Sequence, residues 1–465
     1  MSKVASLFDD VVKSPDDVVM DATELAKTNY TEYSKYVGQG RAYPCIYDGL
    51  KSSYKRALYG MYLNNTHKIV KVAELAAFAL PYHPHPTSVS GVIVALGDGS
   101  NKLKLIETQG NWGNSAKNIQ PSADRYIGGY LTTFAESLLC DAVEYAPQIK
   151  GEIDKDEPKA LPALLPLCFV NGSKGIPSGL PTLNIPTIDV QGMVDYYIDI
   201  LSHKDVNYVP KKFPKYSYKC DVISSEEEWE TVLQTGRGSI RFAPKMSIEN
   251  NVITITELPL TKTFEHVKTI LDKEILADKV DARDESTVNT CIVIEKVPHK
   301  QCDMNELYKR LYNKLQCSET FNMCFFDEDT IYVPCSFNKV IRTNLQYTMD
   351  IQMVRIREEL EQLQEKLTVL EIVEDMKQKN SFKSLFDLDS NSAIDFISNT
   401  YKCTKEVSSK VLQKPLSYLT KEHKEEIEDL KISIEEHHND KNDIFEFMLK
   451  KYKKLKKLIA GNLQS

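Results

Sequence analysis

Residues 121–130 read Pro-Ser-Ala-Asp-Arg-Tyr-Ile-Gly-Gly-Tyr and contain the pair Arg125-Tyr126. A tyrosine hydroxyl can attack a phosphodiester, and a neighbouring guanidinium can neutralise charge that builds on the phosphate oxygens. The dipeptide alone carries little information, but its surroundings carry more. A glycine-punctuated loop, Gln109-Gly110-Asn111-Trp112-Gly113-Asn114, precedes it. Further upstream lie Tyr82-His83-Pro84-His85 and a basic run holding Arg41, Lys51, Lys55 and Arg56. Lysine and arginine suit sequence-independent phosphate contacts, and an imidazole can donate to a phosphate oxygen. Ile176, in Val170-Asn171-Gly172-Ser173-Lys174-Gly175-Ile176, is an apolar residue in a polar loop.

Charge is distributed to match that chemistry. The formal net charge is −8, which argues against a protein that coats DNA. Yet between Lys35 and Lys71 seven bases (Lys35, Arg41, Lys51, Lys55, Arg56, Lys68 and Lys71) face Asp48 alone. Between Arg355 and Asp375 three bases face seven acids. A local phosphate-binding face with a DNA-repelling remainder follows. Ten cysteines without a Cys-x-x-Cys pair argue against zinc and suggest reduced thiols. No apolar run approaches eighteen residues, and Met1–Asp10 has no signal core, so a cytoplasmic protein is expected, bacterial or in a host cell.

The elements that must position these residues fall into three regions. Residues 1–150 read as helical, with stretches over 21–36, 50–63, 70–80 and 89–96, the last N-capped by Thr87 or Ser88. That pattern suits a helix-turn-helix or winged-helix unit. Prolines from Pro158 to Pro186 exclude long helices, and strand-like runs then appear at 239–242, 252–256 and 290–294, with a helix at 264–272. From Met349 a stripe of Met353, Ile356, Leu360, Leu363, Leu367 and Leu370 repeats at heptad spacing. A second helix from about Lys421 carries Ile427, Leu430, Ile434, Ile444, Met448 and Leu455. Two matched stripes predict an antiparallel coiled coil with a compact tip between them.

The ordered motifs resemble those of the DNA-cleaving subunit of type IIA topoisomerases, the gyrase A and topoisomerase IV A subunits, with a size nearest the T-even phage enzymes. The resemblance implies a multidomain α+β protein: a winged-helix breakage-reunion domain over 1–150, an α/β tower over 151–340, and a coiled coil over 341–465 whose tip, about 377–420, is a helical dimer gate. It implies Tyr126 as nucleophile and Arg125, Arg41 and His85 as catalytic, with Lys51, Lys55, Arg56, His83 and Ser88 on DNA and Ile176 wedged between base pairs, bending the duplex. It also implies that the Gln109–Asn114 loop lets backbone approach DNA. Tower segments are expected at Thr235–Ser239 and Ala282–Ser286, and lower-gate segments at Val411–Gln413 and Leu419–His423. Asp124 departs from the small apolar residues usual before the Arg-Tyr pair, and Pro86-Thr87 from the Gly-Asp that usually follows the histidines. No TOPRIM acidic cluster or ATP motif is recognised, so Mg²⁺ and ATP are expected on an ATPase/TOPRIM partner subunit. The expected assembly is a homodimer acting with that partner on double-stranded DNA, and no room is left for a DNA-wrapping domain. Two other readings stand beside this one: a non-catalytic dimeric winged-helix architectural protein, and a nuclease or tyrosine recombinase that would leave a 3′-phosphotyrosine.

Overall fold

The computed structural model describes residues 22–463 apart from 65–66, 115–118, 154, 287–289, 386–387, 416–417 and 419–422. The N-terminal stretch Met1–Asp10 and the Leu419–Glu422 part of the expected lower-gate segment lie outside the described residues.

After an exposed helix at Ala22–Val37 and a π-turn at Gly38–Ala42, three short helices follow: Ser52–Leu63, Val72–Ala79 and Pro86–Leu96. They bury Leu58, Met61, Leu75, Ala79, Val89 and Ile93 against one another. The third helix starts earlier than the expected Thr87 or Ser88 cap. His85 is the N-cap and Pro86 opens the helix, where a missing N–H costs nothing because the first-turn donors have no intrahelical acceptor. An antiparallel sheet completes this unit, in the order Val70–Lys71, Gly128–Leu131, Ile106–Gln109.

One apolar core then runs on through both sides of residue 150. It joins Leu58 and Ile93 to Phe169, Tyr197, Phe242, Phe321 and Leu345. A five-stranded sheet crosses it, in the order Ser173–Gly175, Leu183–Ile185, Cys317–Asn322, Arg237–Ala243, Asp221–Val222. A second, separate core lies in a four-stranded antiparallel sheet ordered Lys245–Glu249, Val252–Glu257, Ile292–Lys296, Val280–Asp284. The helices Phe264–Leu276 and Met304–Leu315 supply its Val267, Leu271, Leu307 and Leu311. The protein is thus a mixed helix-and-sheet molecule with several cores.

The helix Phe337–Gln378 is 42 residues long, about 63 Å at the usual rise. Lys424–Asn442 runs back along it: Glu359 meets His437 at 3.3 Å and Glu371 meets Lys431 at 3.3 Å, so rising numbers on one helix face falling numbers on the other. Met349, Ile356, Leu360 and Leu370 of the heptad stripe are buried, and Met353, Leu363 and Leu367 are half-buried. A small third core closes the far end, where Val369, Ile372 and Met376 pack on Ile397, Val407 and Val411.

The apolar spacing from Ile427 to Leu455 predicts one helix, and the structure divides it. The chain breaks at Asp443, whose carboxylate caps the next helix by accepting the Glu446 N–H at 3.1 Å. That last helix, Ile444–Asn462, leaves the pair and docks on Val190–Ser202 in the body. Tyr452 stacks on Tyr197 with centroids 4.8 Å apart and donates to the Leu164 carbonyl at 2.7 Å. At the root of the long helix three side chains converge on Asp141: Arg355 at 3.3 Å, Gln352 at 3.0 Å, and Lys451 from the last helix.

Candidate functional site

Tyr126 sits on a turn at Asp124–Tyr126, just before the central strand Gly128–Leu131. Four bonds hold the turn. The Tyr126 N–H donates to Ala123 O at 2.9 Å and the Ser122 N–H to Asn111 O at 2.9 Å. Lys71 Nζ reaches Tyr126 O at 3.2 Å, and Ser90 Oγ donates to Asp124 Oδ2 at 3.3 Å. The backbone is pinned while the ring is free: Tyr126 is 64% exposed, and the Arg125 guanidinium lies 4.7 Å from its ring centroid. Asp124, unexpected beside a phosphate site, is turned toward the Pro86–Leu96 helix by Ser90. Tyr130 lies within the strand, opposite Glu107, and is half-buried.

The glycine loop supports this turn from below. Gly110 and Gly113 have φ of +93° and +81°, which L side chains rarely adopt. The loop thereby folds Trp112 inward, 4% exposed, with its indole N–H donating to Gln109 O at 3.2 Å. A Cβ on Gly97 would lie 2.2 Å from the Trp112 ring, so the indole occupies the notch at the end of the Pro86–Leu96 helix. The two glycines therefore serve a tight internal turn.

The same helix organises a second group of side chains. His85 Nε2 contacts Arg41 Nη2; since a guanidinium only donates, the imidazole nitrogen accepts. Ser88 Oγ donates to His85 O at 2.8 Å and lies 3.2 Å from His83 Nε2. His83 Nδ1 is 3.5 Å from Arg56 Nη1. Burial, and then the positive charge of Arg56, hold the His83 pKa below its ordinary value. Arg41, His85 and Ser88 are exposed. Beside them the hairpin base at Ser173–Gly175 abuts the π-turn, because a Cβ on Gly175 would lie 2.5 Å from Ala42 O. Lys51 Nζ donates to Lys174 O at 2.7 Å, and burial lowers its pKa. Ile176 follows this strand and is 87% exposed.

Residues 41–464 match the family of the DNA gyrase and topoisomerase IV A subunits. The chain belongs to that family. It is 30% identical over 333 residues to the DNA gyrase A subunit of Brachyspira hyodysenteriae, covering 66% of this chain and 39% of that one. It is 27% identical over 369 residues to the DNA topoisomerase 4 A subunit of Salmonella typhimurium, covering 75% and 49%. The DNA gyrase A subunit of Thermotoga maritima is 28% identical over 419 residues, covering 84% and 51%. The chain spans about half or less of the length of these curated relatives.

For this member of the gyrase and topoisomerase IV A-subunit family the structure redraws part of the expected set. Arg41, His85, Ser88, Arg125, Tyr126 and Ile176 stand at the surface. Lys55 and Arg56, expected on phosphates, do not: their side chains are 8% and 6% exposed. Arg56 grips Glu157 through Nε and Nη2 at 2.8–3.1 Å and reaches Glu152 at 2.8 Å. Lys55 meets Glu157 at 3.3 Å and donates to Pro158 O at 2.8 Å. A buried carboxylate this heavily engaged makes both bases internal counter-ions. His83, 6% exposed, likewise stands behind Ser88 and His85 and not at the surface. Sequence reasoning missed Lys71 and Ser90, which anchor the tyrosine turn, and Glu157. Lys71 stood in the basic run, but its contact depends on strand pairing across 57 residues of sequence, Lys71 with Gly128. No helix among the described residues is long and apolar enough to cross a membrane.

Proposed function

We propose that this chain is the strand-breaking subunit of an ATP-dependent type IIA topoisomerase, with Tyr126 as its nucleophile. The observation that carries the reading is the contrast at Tyr126: a backbone bonded on both sides and a ring left in solvent beneath a guanidinium. In the proposed step the Tyr126 hydroxyl oxygen attacks a backbone phosphorus. The P–Oη bond forms, the P–O3′ bond breaks, the phenolic proton passes to solvent, and the departing 3′ oxygen takes one up. The product is a 5′-phosphotyrosine. Because one ester replaces another, the 3′ hydroxyl can reverse the step without external energy. Arg125 would offset charge developing on the phosphate oxygens, and Arg41, oriented by His85, would bind an adjacent phosphate.

Magnesium takes a near-octahedral set of oxygen ligands. The groups around Tyr126 are mostly cationic, and the turn's own carboxylate, Asp124, is engaged by Ser90. These residues do not fit a resident Mg²⁺. In this reading Mg²⁺ and ATP belong to an ATPase/TOPRIM partner, and no step here passes through them. The three helices with their antiparallel sheet fit a winged-helix cleavage unit. The four-stranded sheet domain fits a tower. The antiparallel helix pair fits the arm of a dimer gate, so two copies would cut both strands.

The test is covalent trapping. The full chain, incubated with duplex DNA and its TOPRIM/ATPase partner, then quenched in detergent, should give a protein–DNA adduct that Tyr126→Phe abolishes. DNA affinity should stay within a few-fold, because it resides in phosphate contacts elsewhere. Adduct persisting in the variant, mapped to Tyr130 or any other residue, overturns the assignment.

A further inference from the structure

The last helix, Ile444–Asn462, carries six lysines and a single acid, Glu446, in a protein of net charge −8. Its lysines are not equivalent. Lys451 is engaged by Asp141 and Lys456 by Asp195, one toward each edge of the helix. Lys450, Lys453, Lys454 and Lys457 are exposed, and among the described residues none of them forms an ion pair. At 100° per residue these four fall within an arc of about 100°, opposite the stripe of Met448, Tyr452, Leu455 and Ile459. Four like charges at three- and four-residue spacing repel one another, and a polyanion relieves that repulsion.

The helix is held as a rigid element. Tyr452 anchors its middle, and its C-terminal end is tied to the cleavage unit. The Lys104 N–H donates to Asn462 O at 3.1 Å, and Leu103 bridges to Leu463. The Lys102 N–H next to them donates to Asn171 Oδ1 at 3.0 Å. Asn171 ends the short helix that leads into the Ser173–Gly175 strand and Ile176. The lysine face is therefore coupled through a few bonded residues to the base of the hairpin that bears Ile176.

We propose that this lysine face is a second DNA-docking surface, taking phosphates on the flank of the duplex beyond the stretch that the tyrosine turn addresses. The proposal rests on the DNA-cleavage reading above. Along the axis the four lysines span roughly 10 Å, enough for each to meet a phosphate through its flexible stem. Such contacts add affinity and salt dependence and no sequence preference.

The test compares the full parent chain with the Lys450→Gln/Lys453→Gln/Lys454→Gln/Lys457→Gln variant, binding labelled duplexes of about 20 and about 60 base pairs across a potassium chloride series. All four positions are exposed, and an unchanged circular dichroism spectrum and melting curve confirm that the variant folds. The variant should bind the long duplex at least tenfold more weakly at low salt, with the slope of log K against log salt reduced by about 3 to 4, while binding the short duplex like the parent. Equal binding of the long duplex by both proteins overturns the docking surface and leaves the cleavage reading intact. An equal loss on both duplexes also overturns it, since the lysines would then belong to the central site. A parent that binds neither duplex refutes the DNA reading itself.

Discussion

The Arg56 carboxylate cluster separates two accounts of the same residue. As a phosphate ligand, Arg56 would affect DNA affinity; as an internal counter-ion, it affects folding. Arg56→Ala leaves the Glu157 carboxylate, 2% exposed, with Lys55 at 3.3 Å as its remaining charged partner. The variant loses three Arg56–Glu157 bonds and the Glu152 contact. Removing one partner of a buried, multiply bonded ion pair costs about 3–5 kcal/mol, because the other charge stays buried. For a cooperative body of roughly 200 residues that lowers the melting temperature by about 10 °C. Calorimetry reads the stability arm. Duplex binding across a salt series, at a temperature where the variant is folded, reads the other arm. The expected result is a large melting shift with an unchanged salt slope. A slope reduced by about 0.9 with a melting temperature close to the parent's would refute the internal role and return Arg56 to the phosphate set.

Three further outcomes follow from the same geometry. Asp48 is fully buried; burial pushes its carboxyl up to about 6, although the Leu161 and Leu50 N–H groups donate to it at 2.9 and 2.8 Å. Its folded pKa lies above the unfolded 3.8, so its contribution is greatest below about pH 4 and is lost as pH rises toward 6. Relative to Asp48→Asn, the parent should therefore gain on the order of 2 kcal/mol in urea unfolding between pH 7 and pH 4, and a parallel pH dependence of the two proteins contradicts this. Gly97→Ala drives a Cβ into Trp112, so it should cost about 1–3 kcal/mol, red-shift the tryptophan emission and cut adduct formation at Tyr126; unchanged emission and adduct would show that Trp112 does not support the turn. Ile176→Ala should leave stability within about 0.5 kcal/mol, since the side chain is 87% exposed, yet reduce the bend of bound DNA measured by energy transfer between its ends. An undiminished bend removes the wedge role.

Much of the scaffold was legible because periodicity and local chemistry report on it directly. The heptad stripe from Met349 marks the buried face of the long helix, and Val252–Thr256 fall in a strand. The Asp443 break also had a local signal, an Asn-Asp pair before Ile444 that suits a helix N-cap, but the apolar spacing ran across it. The exposed part of the site could be read for a different reason. Arg125, Tyr126 and Ile176 protrude, although distant Lys71 and Ser90 hold the turn that carries the first two. Lys55 and Arg56 show the limit. Whether a lysine or arginine meets solvent or a buried carboxylate depends on Glu157, a hundred positions away in a proline-rich stretch, and no local pattern encodes that meeting.

The Asp141 junction makes the long helix a lever with a defined fulcrum. Arg355 and Gln352 fix the helix to Asp141, in the turn just after the Thr133–Leu139 helix, and Lys451 clamps the same carboxylate from the last helix. From Arg355 to the helix end at Gln378 is about 35 Å at 1.5 Å per residue. A rotation of about 10° at the fulcrum therefore sweeps the far end through roughly 6 Å, which exceeds one helical turn of 5.4 Å. A displacement too small to unpack the body is thus magnified at the far end to the size of a side-chain contact made or broken. The long helix and the last helix thus share one carboxylate as their pivot.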